Sequence, residues 1–140
     1  MQEFQLDEAL QRDCIEVGQL PLSLVLMMND RQYPWFILVP KRADICEIYQ
    51  LAAADQQQLA HESSWFGQAL MSYFRGDKLN IAALGNMVPQ LHLHHIVRFR
   101  HDCAWPKPVW GHSPAMPYSS GEAEEQVTAI AQILSRYRAE

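Results

Sequence analysis

Two short apolar runs stand near the start of the chain. Leu22 to Met28 (LSLVLMM) ends at Asn29-Asp30, and Trp35 to Val39 (WFILV) is closed by Pro40. Runs of this length, bounded by turn residues and proline, predict two buried strands joined as an antiparallel hairpin. From Asp55 to Arg75 the apolar spacing becomes helical: Leu59, Phe66, Leu70 and Phe74 form a stripe, with Trp65 and Tyr73 beside it. Asp55 and Gln58 have the spacing of a capping box, and Gly76 is the expected stop. Lys78 to Ala83 predicts a third strand, Leu84 to Pro89 a loop holding Gly85-Asn86, and Gln90 to Arg98 a fourth strand. Cys103 to Tyr118 carries Trp105, Trp110 and several prolines and reads as an ordered but irregular cover. A capping box at Ser119 and Glu122 opens a C-terminal helix, Glu122 to Tyr137, with Val127, Ile130 and Leu134 along one side. The order predicts one α+β domain over residues 1–140. It is an antiparallel sheet of about five strands with a long helix and a C-terminal helix.

Composition narrows the function. The chain has 140 residues, 49% of them hydrophobic and 19% charged, which suits a globular core and not a disordered segment. A formal net charge of -5 argues against a general binder of nucleic-acid polymers, which needs a basic surface. The charge is uneven: Glu122, Glu124, Glu125 and Glu140 crowd the end, while His, Arg and Lys gather between Lys78 and Lys107, where a small anion is acceptable. Three scattered cysteines (Cys14, Cys46, Cys103), an acidic N-terminus and the lack of a long apolar run predict a cytoplasmic protein with no membrane contact.

The chemistry concentrates in Pro89-Gln90-Leu91-His92-Leu93-His94-His95-Ile96-Val97-Arg98. Side chains alternate along a strand, so Gln90, His92 and His94 share one face, and Leu91, Leu93, His95 and Val97 the other. Imidazole near neutral pH serves as nucleophile and as acid or base. On one face, one ring can attack phosphorus while its neighbour and an amide donate to the phosphoryl oxygens, where charge develops.

This stretch resembles the histidine-triad (HIT) signature, in which three histidines alternate with apolar residues on a strand. The resemblance takes in Phe36-Ile37-Leu38-Val39-Pro40-Lys41, Leu79-Asn80, the Gly85-Asn86 loop and Trp105-Pro106. It implies a nucleotide hydrolase or nucleotidyl transferase, working on a nucleotide conjugate as a homodimer whose sheets join, without a cofactor or metal. His92 matches the nucleophile and His94 the last member of the triad, while Gln90 stands where the first histidine is usual. Asn86 falls at a phosphate contact and Asn80 at the nucleotide site. Asp30, or Asn29, falls where a carboxylate meets the ribose hydroxyls. Trp35 occupies a position where some branches have a further histidine, and His95 one where the signature has an apolar residue.

Plainer assignments compete with these. His95 reads as a structural ring on the core side, and Arg98 and Arg100 as solvated. Trp105 and Trp110 serve either as walls of a base pocket, with Trp105 the chosen candidate, or as anchors of the tail. Two rival functions are a nucleotide-binding or regulatory module with little turnover, suggested by Gln90 and His95, and a metal-binding protein using His92, His94, His95 and His101.

Overall fold

The computed structural model describes residues 3–138. A five-stranded sheet has the order β1-β2-β3-β5-β4, with every neighbouring pair antiparallel. The strands are β1 (Cys14–Gln19), β2 (Ser23–Met28), β3 (Trp35–Pro40), β4 (Lys78–Ala83) and β5 (Leu93–Arg98). The helices are α1 (Glu8–Asp13), α2 (Ala53–Phe74) and α3 (Ser120–Leu134). The α+β architecture and the 22–28 and 35–39 hairpin are as the hydrophobic pattern predicts. No helix among the described residues is long and apolar enough to cross a membrane.

Both faces of the central strands are buried, and they are covered differently. Phe36, Leu38, Leu93 and Val97 face α2 and α3 in the larger apolar cluster. Trp35, Ile37, Val39 and Ile96 face a second cluster with Leu10 of α1 and Ala104 and Val109 of the segment after β5. The buried stripe of α2 includes Glu62 and Ser63, and each meets a partner. The Glu62 carboxylate accepts from the Leu22 N–H at 2.7 Å, and Ser63 Oγ lies 2.7 Å from His95 Nε2. Gly67 brings α2 close to the sheet, since a Cβ there would stand 2.6 Å from Leu79 Cδ2.

Several local readings are corrected. Helix α2 begins at Ala53, and its Ala52 cap makes no side-chain bond; Asp55 pairs with Arg42 instead, and Gln58 bonds Glu62 and Tyr137. Arg75, at φ 55°, makes the left-handed end of α2. Gly76 is required for space, because a Cβ would collide with Val97. The capping box at Ser119 and Glu122 forms, although α3 ends at Leu134 and not at Tyr137. Strand β5 begins at Leu93, three residues later than the alternation suggested. Helix α1 and strand β1 escaped sequence reading. Strand β1 is half-exposed, and a bulge between Glu16 and Gly18 breaks its alternation.

Candidate active site

Antiparallel pairing of β3 with β5 sets Trp35 opposite Ile96 and Ile37 opposite His94. Trp35 and His94 are therefore diagonal neighbours on one face, within reach of a long side chain. The Trp35 indole Nε1–H donates to His94 Nδ1 at 2.9 Å. Indole nitrogen only donates, so His94 Nδ1 is the accepting nitrogen and the proton of the neutral ring sits on Nε2. Burial first, then repulsion from His92 and His95, pushes the His94 pKa down to about 3. At neutral pH His94 is thus an uncharged donor through Nε2–H.

His92 sits just before β5, its ring centroid 4.9 Å from that of His94. Its Nδ1 lies 2.7 Å from the carbonyl oxygen of Gln90. A carbonyl only accepts, so Nδ1 carries the proton and Nε2 keeps a lone pair. His95 occupies the opposite face. Its Nδ1–H donates to the Leu93 carbonyl at 3.1 Å, and its Nε2 accepts from Ser63. Burial, opposed in part by the Leu93 carbonyl, lowers its pKa to about 4. The structural reading of His95 fits this geometry. The four-histidine metal set does not form, because His95 points away from His92 and His94. Among the described residues no group of three or more His, Cys, Asp or Glu is placed to hold a metal ion.

His92 and His94 line a cavity of about 320 Å³ together with Trp35, Trp110, Met28 and the loop residues Leu84, Asn86, Met87 and Val88. Trp110 stands edge-on to both His94 (centroids 5.1 Å apart) and Trp35 (5.9 Å). No lysine or arginine is among the lining residues.

Arg98 holds the wall that carries Trp110. It is only 1% exposed, which corrects the expectation of a solvated side chain. Its guanidinium makes a two-point ion pair with Asp102 (2.8 and 3.0 Å), donates to Asn80 Oδ1 at 3.0 Å, and lies against the rings of Tyr33 and Trp105. The Asp102 carboxylate also accepts from the backbone N–H of Phe99, Ala104 and Trp105. Burial would raise the Asp102 pKa, but the Arg98 bonds and the backbone donors outweigh it and hold the carboxyl below its usual range. A buried charge needs such a partner, and this pair fixes the chain just as it leaves the sheet.

The candidate residues therefore divide. His92, His94 and Asn86 meet at the cavity. Asn80 and Trp105 instead brace Arg98. Asn29 accepts from the Tyr118 N–H, and Asp30 from Gln32 and the Met116 N–H, so both tie residues 116–118 to the turn after β2. The Gln90 side chain turns to the N-terminal arm, where its Oε1 accepts from the Asp7 N–H and its Nε2 donates to the Gln5 carbonyl. Sequence reasoning left Trp110 undecided and had no signal for the Trp35 hydrogen bond beyond the unusual residue at that position.

The HIT domain model matches residues 9–101, more than half of the chain. This chain belongs to the histidine-triad family. Crystal structures of other histidine-triad proteins agree along nearly the whole length. The protein from Marinobacter aquaeolei VT8 is 47% identical, with 98% of this chain and 100% of that one covered at a TM-score of 0.95. The protein from Bradyrhizobium japonicum is 44% identical over 94% of this chain and 98% of its own, at 0.91. That from Sinorhizobium meliloti 1021 is 44% identical over 94% and 95%, at 0.86. No curated protein matches the chain.

Proposed function

We propose that this histidine-triad protein is a nucleotide hydrolase or nucleotidyl transferase that acts on a nucleotide conjugate through a covalent nucleotidyl-His92 intermediate. The observation that carries the reading is the 2.7 Å bond from His92 Nδ1–H to the Gln90 carbonyl, which leaves Nε2 basic on a ring that lines the cavity. In the first step the Nε2 lone pair attacks the α-phosphorus. An N–P bond forms, and the bond to the leaving group breaks, its electron pair departing with that group, which takes a proton from solvent. The ring is then cationic, and its Nδ1–H bond to the carbonyl becomes charge-assisted. In the second step a water or other acceptor oxygen attacks phosphorus, the N–P electrons return to Nε2, and the acceptor's proton passes to solvent. His94 Nε2–H and the Asn86 amide are the donors assigned to the phosphoryl oxygens. Trp110 and Met28 supply apolar surface for the base. Asn29, Asp30, Asn80 and Trp105 act in this reading as supports of the walls.

The test is single-turnover reaction with an α-phosphate-labelled nucleotide phosphoramidate, acid-free quenching and peptide mapping. Label on His92, absent in His92→Ala, is the expected result; label elsewhere, or turnover in His92→Ala, overturns it. The second reading, a nucleotide-binding module with little turnover, draws on the cation-free cavity lining and the engaged Gln90 amide. Mononucleotide binding without label or turnover on any conjugate selects it.

We further propose a homodimer. Strand β4 is an edge of the sheet, with Ile81 46% exposed, and two such edges joined antiparallel continue the sheet. Sedimentation at micromolar concentration is expected to give a dimer for the wild type and a monomer for Ile81→Glu; a wild-type monomer overturns the proposal.

A further inference from the structure

We infer that the N-terminal arm, acting through the Gln90 side chain, helps to position His92. Gln90 is thus a positioning residue and not a donor to the phosphoryl group. Residues 90–92 precede β5, so no strand ladder fixes the Gln90 carbonyl that meets His92. The side chain of Gln90 anchors the residue from one side instead. Gln90 Oε1 accepts from the Asp7 N–H at 2.9 Å, and Gln90 Nε2 donates to the Gln5 carbonyl at 2.8 Å. The primary amide thereby pairs with one acceptor and one donor along the same edge of the arm. That segment is anchored at both ends. Asp7 caps α1 by accepting from the Ala9 N–H at 2.8 Å, and Phe4 and Leu6 pack against the apolar cluster on the site face. The peptide unit that carries the Gln90 carbonyl is held on its other side by the Leu91 N–H, which donates to the Ile45 carbonyl at 2.9 Å, so Ile45 and the Gln90 side chain fix it together.

A neutral imidazole exchanges between two tautomers unless an acceptor selects one. A fixed carbonyl selects Nδ1–H and so keeps the lone pair on Nε2; a carbonyl free to swing does so only part of the time. The amide is turned toward residues 5 and 7, and Gln90 is not among the residues that line the cavity of about 320 Å³ beside His92 and His94. The inference rests on the His92 reading above for its kinetic consequence alone. The state of the ring is measurable without any substrate.

The test uses the full chain, three single variants, and the double variant of Gln90→Met with Asp7→Pro. Gln90→Met keeps the length of the side chain and removes both bonds. Asp7→Pro removes the Asp7 N–H, and the φ of -55° at that position suits proline. Asp7→Ala removes the helix cap alone, so the difference from Asp7→Pro reports the N–H bond. Nitrogen-15 spectra of the ring are expected to show one protonated Nδ1 and one bare Nε2 at His92 in the wild type. In Gln90→Met and Asp7→Pro the two shifts move toward an average, while the His94 pair does not. With a substrate, kcat is expected to fall about tenfold to 100-fold, the scale for misplacing a reacting group, and KM to stay within about twofold. The double variant is expected to be no slower than Gln90→Met, because the two changes break the same link. An unchanged His92 tautomer in Gln90→Met and Asp7→Pro overturns the inference, as does an unchanged kcat where the wild type turns over. If Gln90→Met does not fold, the Asp7 pair decides. If the wild type shows no turnover but the tautomer responds, the clamp stands and the catalytic reading of His92 falls.

Discussion

Mild acid is expected to destabilise this protein steeply, and the two buried imidazoles set the amount. In the folded chain burial lowers His94 to about 3 and His95 to about 4, against an ordinary value of 6.5. Between those limits the unfolded chain binds more protons than the folded one, so stability rises with pH and is lost on acidification. The full contribution is present above 6.5 and is withdrawn as pH falls toward about 4 for His95 and about 3 for His94. Taking pH 7.5 to pH 5, linkage gives a loss of about 2 kcal/mol for each ring, or about 4 kcal/mol together, to order of magnitude. That is a large share of the roughly 5–15 kcal/mol that holds a typical domain folded. Urea unfolding followed by tryptophan fluorescence measures it, as a lower midpoint at pH 5 with an unchanged slope. His95→Gln removes one of the two titrating rings and leaves an amide to meet Ser63. Its pH dependence is expected to be about half that of the wild type. A flat stability profile from pH 7.5 to pH 5, or a wild-type dependence in His95→Gln, would refute the reasoning.

Three further outcomes follow from the same contacts. Trp35→Phe deletes the donor to His94 Nδ1 and is expected to cost about 1–3 kcal/mol for the buried acceptor left unpaired; calorimetry reads the cost, and nitrogen-15 spectra read the loss of a single His94 tautomer. Arg98→Met strands the Asp102 carboxylate without its counter-charge, at a cost of roughly 3–5 kcal/mol, and proteolysis should then cut first between residues 99 and 112. His94→Ala is expected to lower kcat roughly 10²–10³-fold, the scale for one lost donor to a developing charge, whereas His92→Ala abolishes turnover with the circular dichroism spectrum intact.

The sequence by itself determined the elements with strong periodicity and the imidazole pair. The hairpin of β2 and β3, the stripe of α2, the Ser119 cap and the juxtaposition of His92 with His94 all rest on local spacing, which the chain encodes within a few residues. Tertiary structure decided everything that depended on partners distant in sequence. Asn29, Asp30, Asn80 and Trp105 are short-range ambiguous: each has a polar group that suits a ligand or another part of the chain equally well. Only the fold shows that they meet Tyr118, Met116, Arg98 and the Arg98 guanidinium face respectively. Arg98 reads as a surface residue until Asp102 closes back on it, and Trp110 has no assignment until that closure lays it across His94. The alternation rule carried Gln90 onto the histidine face because it assumed a strand that does not begin until Leu93. A side chain outside a ladder is not bound to that parity: His92 keeps it, and Gln90 does not. Its direction is set by whichever unpaired backbone groups lie within reach, and here those belong to residues 5 and 7, more than 80 positions away along the chain.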